Sequence, residues 1–220
     1  MRTKPYQTSI ALFDEVELLD VTGPLSVLSA AGRQWNFQPF KVELVATERG
    51  SVGTRSGLAL DATRACTESA SVECLIIPGG YGARRAAEHA GFLDWLRRAA
   101  AEAEHVAAIG NGVWILGQAG LLDGVEVATT HDLATDLQAL CPTAKPNARD
   151  SVCASSKFLS ARASALGLDL ACEIVARCFG KKLASTLSSS LGIDWAGELS
   201  SIDIVPGPLL GVPGAEPRRE

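Results

Sequence analysis

The stretch HVAAIGNGVWILGQAGLLDG, which begins at His105, constrains the fold more than any other part of the sequence. After His105, the four residues Val106 to Ile109 are apolar without alternation, which is typical of a strand buried on both faces. Gly110, Asn111 and Gly112 follow, and glycine permits a tight backbone reversal. A helix is predicted from Val113 onward, with its unpaired N–H groups and positive dipole end directed at the turn. This order is typical of a nucleophile elbow, but the turn carries no Ser or Cys.

Strand and helix patterns alternate along the rest of the chain. Such alternation predicts an α/β protein: a three-layer, flavodoxin-like sandwich with a mostly parallel sheet and helices on both faces. We expect one domain over residues 1–195 and an irregular Pro/Gly-rich tail over 196–220. The predicted strands are 9–13, 41–46, 74–77, 105–109 and 125–128, with hairpins within 50–62 and 151–159, and the predicted helices are 22–32, 91–104, 133–140, 163–179 and 181–191.

Composition excludes several classes of function. The formal net charge of -5 and the pI of about 5.3 argue against nucleic-acid binding, and the pair Arg84-Arg85 is interpreted as solvated surface. The longest uncharged stretch contains Asn111 and Gln118, so it is a poor membrane span, and no signal peptide is evident. The six cysteines form no C-x-x-C pair and the three histidines lack ligand spacing. We therefore expect a cytoplasmic protein without metal or cofactor.

In a parallel sheet, ligands bind at the carboxyl ends of the strands. Four loops are predicted to meet there: 14–23, 78–82, 110–112 and 129–132. The first loop contains Asp20, which follows two leucines and precedes a helix start assigned to Thr22. Desolvation would raise the pKa of this carboxyl and suit it to acid–base work; the alternative is an Asp that only caps the helix or braces the turn.

The other loops supply further candidates. Asn111, with the amides of the neighbouring glycines, is predicted to hold a carbonyl or developing oxyanion, or else to be present only for a left-handed turn. His131 is an acid–base candidate or a structural histidine, and Asp132 is placed to orient it or to lie near Asp20. Trp114 is expected to be a residue of the hydrophobic core. Substrate-binding candidates are Gly79, Gly80, Tyr81, Gly110, Gly112 and Asp132.

Five motifs occur in order: FDEVELLDVTGP, LIIPGGYG, GNGVWILGQAGLLDG, VATTH and ALGLDLACEIVARCFG. Together, over residues 9–191, they resemble the ThiJ/PfpI (class I glutamine amidotransferase-like) superfamily, nearest its isocyanide hydratase branch and related sensor domains of bacterial regulators. That branch carries S-V-C-T-G at the elbow, so the resemblance places its nucleophilic Cys on Gly110. It also implies a pocket formed by Asp20, the P-G-G turn and His131. Ser26 stands where the family usually has Glu, and Asp132 where it usually has Trp.

Three hypotheses follow for function. The first is a Cys-independent, isocyanide hydratase-like enzyme that uses Asp20, with Asn111 and His131, for hydration, dehydration or cyclisation of a small molecule. The second is a non-catalytic ligand-binding or regulatory protein, and the third is a structural subunit. The resemblance implies a homodimer, for which a helix face carrying Val27, Leu28 and Ala31 is a predicted contact.

Overall fold

A seven-stranded sheet forms the centre of the protein. The computed structural model describes residues 4–34, 39–68 and 70–195. The strands are β1 (Tyr6–Ala11), β2 (Phe40–Ala46), β3 (Gly50–Gly53), β4 (Ala59–Ala62), β5 (Arg64–Ala65), β6 (Cys74–Ile77), β7 (His105–Ile109), β8 (Glu126–Ala128), β9 (Lys145–Asn147), β10 (Val152–Ser155) and β11 (Phe158–Ala161).

The order in the sheet is β10-β11-β7-β6-β1-β2-β5, and every neighbouring pair is parallel except β10 with β11. β3 and β4 form the predicted hairpin, and β8 pairs with β9 in a separate ribbon. The helices are α1 (Leu18–Ala31), α2 (Ala83–Ala86), α3 (Ala90–Glu102), α4 (Gly112–Gln118), α5 (His131–Leu140), α6 (Gly167–Phe179) and α7 (Lys181–Leu191), with 3₁₀ turns at Gly32–Gln34 and Ser164–Leu166.

The helices lie in two layers. α1, α6 and α7 pack together on one side, and α2, α3 and α5 pack around α4. The three central strands are covered on both faces: Ile10 pairs with Ile76, Ile76 pairs with Ala107, and all three side chains are fully buried. The predicted α/β sandwich with a mostly parallel sheet is confirmed.

The start of α1 corrects the sequence prediction. The helix begins at Leu18, four residues before the expected cap at Thr22, whose hydroxyl donates instead to the Leu18 carbonyl (2.9 Å). Asp20 therefore lies in the first helical turn. That turn is held by packing and by a hydrogen bond to Gly79, contacts that local cap and proline signals do not encode. Pro24 lies inside the helix as a result.

The residues predicted to form a dimer contact on α1 are not available for one. Val27, Leu28 and Ala31 are fully buried within the chain, where α1 packs on α6, so they form no open face. The homodimer itself stays a prediction.

Within the described part of the chain, the helices are too short or too polar to cross a membrane. The predicted tail, 196–220, lies outside the described residues, and so the boundary at residue 195 stays a prediction as well.

Candidate functional site

The four loops predicted to converge do meet, at the carboxyl edge of β1, β6 and β7. The chain runs from β1 outward to β2 and β5, then returns to β6 on the other side of β1. The gap between β1 and β6 is therefore the point where the strand order reverses, which is where open α/β sheets bind ligands. Asp20 and Gly79, which follow these two strands, are joined by a hydrogen bond across that gap.

Asp20 is the most deeply buried carboxyl at this edge, with a residue exposure of 1%. Its Oδ2 accepts a hydrogen bond from the Gly79 N–H (2.8 Å), and its Oδ1 has no hydrogen-bond partner among the described residues. Burial raises the pKa of the Asp20 carboxyl, the Ser164 hydroxyl and the Gly79 N–H lower it in part, and Glu17 raises it further. Ser164 lies near enough to affect the pKa without completing a hydrogen bond to Oδ1.

The elbow has the geometry that the sequence predicts. Gly110 adopts a left-handed backbone conformation, with φ of 55°, between the end of β7 and the start of α4. A Cβ built on Gly110 would have only one described atom within 4 Å beyond its chain neighbours, Asp20 Oδ2 at 3.7 Å. A side chain would therefore fit there, and the space that glycine leaves open borders the buried carboxyl.

Asn111 does not present its amide freely to a ligand. Its Oδ1 accepts from the Gly80 N–H (2.7 Å) and its Nδ2 donates to the Gly80 carbonyl (2.9 Å). The side chain thus holds the P-G-G turn against the elbow, while Asp20 holds the same turn through Gly79. Gly112 is buried, and a Cβ there would lie 2.4 Å from the Ile77 carbonyl oxygen, so close backbone packing requires glycine.

A cleft of about 280 Å³ opens onto Gly110 and Asn111. This volume lies just below the usual range for small-molecule sites, roughly 300–1,000 Å³, which favours a small ligand. Asp132 lies on its wall, as predicted, together with Thr130, Leu133 and three residues that sequence reasoning did not place in a site: Arg84, Trp114 and Asp136. Trp114 is half-buried in the cleft wall, which corrects its assignment to the core.

Six of the predicted site residues do not line this cleft. Asp20, Gly79, Gly80 and Gly112 are buried or packed in the turns around Gly110, whereas His131 and Tyr81 lie elsewhere on the surface. His131 is the exposed first residue of α5 and lines a separate depression with Ala134 and Pro146. Tyr81 is 72% exposed and lies against the guanidinium of Arg55, 5.1 Å from the ring centroid. The helical period explains the position of His131, because α5 begins at His131 and consecutive helical residues 131 and 132 point to different sides.

Two other places in the molecule have features of a site. A cavity of about 340 Å³ lies between Phe13, Arg49 and His89, and none of the predicted site residues line it. Donor atoms of Glu126, Asp150 and Cys153 lie within 4.8 Å of one another. There the Asn147 Nδ2 donates to both carboxylates at 2.8 Å, so a side-chain amide already satisfies the cluster.

Cys153, a cysteine outside the elbow, is buried in β10. Burial and the charges of Glu126 and Asp150 raise the pKa of its thiol to about 11, while Asn147 lowers it slightly. Because the thiolate is the nucleophilic form, this cysteine is inert near neutral pH.

Comparison with known proteins identifies the fold and its lineage. The model of the DJ-1/PfpI family matches residues 7–177, most of the chain. The chain belongs to the DJ-1/PfpI family. Its relatives include an isonitrile hydratase from Pseudomonas putida, 28% identical over 188 residues, which cover 84% of this chain and 77% of that protein. They also include the HTH-type transcriptional regulator GbdR from Pseudomonas aeruginosa, 23% identical over 84% of this chain; the match spans half of the regulator's length.

Solved structures of DJ-1/PfpI proteins agree with this assignment. A ThiJ/PfpI family protein from Pseudomonas syringae superimposes with a TM-score of 0.76 at 25% identity, over 87% of this chain and 76% of the other. An AraC family transcriptional regulator from Pseudomonas putida gives 0.72 at 24% identity, over 85% of this chain and the whole of the other. At these identities the family and fold are common to enzymes and regulators, and the activity has to be argued from the site.

Proposed function

We propose that this DJ-1/PfpI protein is a Cys-independent enzyme that performs acid–base chemistry on a small molecule at the elbow cleft. The observation that carries the proposal is the open space at Gly110, where a side-chain atom would lie 3.7 Å from Asp20 Oδ2. The resemblance places the family's nucleophile at Gly110. A substrate atom in that space would contact a carboxyl instead of a thiol.

Asp20 suits proton transfer for two reasons. Its raised pKa brings the carboxyl closer to neutral pH, where a general acid or base is most effective. Its Oδ1 is buried without a partner, and a native structure rarely leaves such an atom unpaired without a functional reason. In this proposal the proton passes between the Asp20 carboxyl, at Oδ2, and a substrate atom in the space at Gly110.

The reaction classes that need only such a proton transfer are hydration, dehydration and cyclisation. The isonitrile hydratase among the relatives supports hydration of a small substrate as the first reaction to test. In this proposal the amide of Asn111 and the amides of Gly79 and Gly80 keep the turn and the elbow in place. Asp132 contributes to the cleft wall, and His131 has no assigned step.

The test is turnover by Asp20→Asn across a panel of isonitriles, nitriles and other small polar electrophiles. Positioned acid–base groups contribute about 10²–10⁴-fold, so the variant should lose activity in that range. Asp169→Asn is the matched control, because Asp169 is also a partly buried carboxyl with a raised pKa, on α6 and outside the cleft. A loss below about tenfold would mean that Asp20 only braces the turn; full loss in His131→Ala instead would move the role to His131.

A second candidate is a ligand-binding or regulatory protein without turnover. The likeness to GbdR and to an AraC family regulator supports it. In that case the wild-type protein should bind a member of the panel and be stabilised against heating by it, without product formation. Asp20→Asn should then weaken binding.

A further inference from the structure

An ion pair joins two of the residues that line the elbow cleft. Arg84 lies on α2, directly after the P-G-G turn, and its guanidinium pairs with the carboxylate of Asp136 on α5. The two residues come from different helices, and both belong to the cleft lining. The side-chain contact therefore connects two walls of the same small cleft.

A third residue, Trp114, also contacts the Arg84 side chain. The Arg84 guanidinium lies over the ring of Trp114, with Cζ 4.2 Å from the ring centroid, and Trp114 stands on the elbow helix α4. A planar guanidinium can stack on an aromatic face while its N–H groups pair with a carboxylate. Arg84 makes both contacts at once, which orders a long side chain that would otherwise be mobile at the surface.

We propose that the Arg84–Asp136 bridge sets the upper size limit of molecules that reach the elbow at Gly110. This inference rests on the proposed function only in taking the cleft as the route to the elbow. The bridge is exposed on both partners, with side-chain exposures of 56% and 50%, so it opens and closes readily. In this proposal small molecules reach Gly110 while the ion pair is formed, whereas larger molecules reach it only when the ion pair is broken.

A thiol placed at the elbow measures this directly and needs no substrate. The reporter is Gly110→Cys in a Cys178→Ser background, because Cys178 is the one cysteine that is not buried. Reaction rates are measured with methyl methanethiosulfonate and benzyl methanethiosulfonate, two neutral reagents that differ in size. The Cys178→Ser protein without the reporter gives the background rate, and a free small thiol gives the intrinsic ratio of the two reagents.

Removing the bridge should accelerate the bulky reagent selectively. In Arg84→Ala and in Asp136→Ala we expect its rate to rise about tenfold, the factor that an exposed ion pair and a cation–π contact together can supply. The rate with the small reagent should change less than about twofold. Arg84→Lys keeps the charge but not the planar stack and should fall between wild type and Arg84→Ala.

Arg85→Ala is the matched control. Arg85 is the next residue of the same one-turn helix, is similarly exposed, and pairs with Glu15 at 3.5 Å while lining the larger cavity instead. It should leave both rates unchanged. Equal acceleration of both reagents in Arg84→Ala, or no acceleration of either, would overturn the size limit, as would a reporter that stays unreactive after the bridge is removed. An Asp20→Asn variant with unchanged activity would overturn the proposed function but would leave these rates, and the inference, unaffected.

Discussion

The P-G-G turn after β6 and the elbow turn after β7 are both rich in glycine, but glycine is needed for different reasons in each. A Cβ on Gly80 would lie 2.5 Å from the Glu15 carbonyl oxygen and 2.6 Å from the Glu17 nitrogen, so backbone fills the place of a side chain. At Gly110 the place of a side chain is open except for the carboxyl of Asp20. The first glycine is a packing requirement. The second leaves open space beside a buried carboxyl, and this difference distinguishes the turn that only packs from the turn at the proposed site.

The largest effect should come from filling the P-G-G turn. Gly80→Ala forces a methyl group into backbone atoms at a φ of 143°, and we expect the free energy of unfolding to fall by at least about 3 kcal/mol. Urea denaturation followed by circular dichroism measures the loss. A variant as stable as wild type would show that the turn has room, and the contrast with the elbow would disappear.

A smaller effect should follow from filling the elbow. Gly110→Ala meets no backbone clash, so its cost is the left-handed conformation alone, about 1 kcal/mol. Gly120→Ala is the matched variant, because Gly120 has a φ of 71° and an open Cβ position away from the cleft. The two should lose equal stability in the same denaturation experiment. Only Gly110→Ala should lose turnover or ligand binding, since its methyl group would cover Asp20. Equal function in both variants would contradict the proposed site.

The carboxyl of Asp20, which lies beside both turns, predicts how the stability of the protein depends on pH. The folded pKa of Asp20 is raised, so its contribution to stability is fully present below the unfolded pKa of about 3.9 and is lost as pH rises through the folded pKa. Asp20→Asn removes this dependence. The stability of the variant relative to wild type should therefore increase as pH rises from about 4 through the folded pKa of Asp20.

Denaturation midpoints over that pH range test the sign. A difference that shrinks with rising pH would mean that the Gly79 hydrogen bond stabilises the ionised carboxylate more than burial penalises it.

The smallest effect should come from the cysteines. Cys153→Ser, and alkylation of accessible thiols, should leave activity within about twofold of wild type, because the Cys153 thiol is protonated and buried away from the elbow. Complete loss of turnover in a folded Cys153→Ser protein would move the chemistry from the elbow to β10.

The local pattern of the chain was enough to predict the scaffold. Unbroken apolar runs predicted β6 and β7 to the residue, and the glycines after them predicted the two turns. These features are encoded by neighbours in sequence, because burial on both faces and tight reversal depend on residue type over a few positions. The same logic predicted that Asp20, the P-G-G turn, the elbow and Asp132 would meet at one edge.

Tertiary structure decided how those residues are used. It placed Asp20 in a helical turn under Gly110, engaged the Asn111 amide with Gly80, and turned His131 away from the cleft. It also brought Arg84, which the sequence analysis interpreted as solvated surface, into contact with the Trp114 ring and the Asp136 carboxylate. Each of these outcomes depends on contacts between loops that are far apart in sequence. Such contacts are set by strand order and helix rotation, which residue periodicity does not specify.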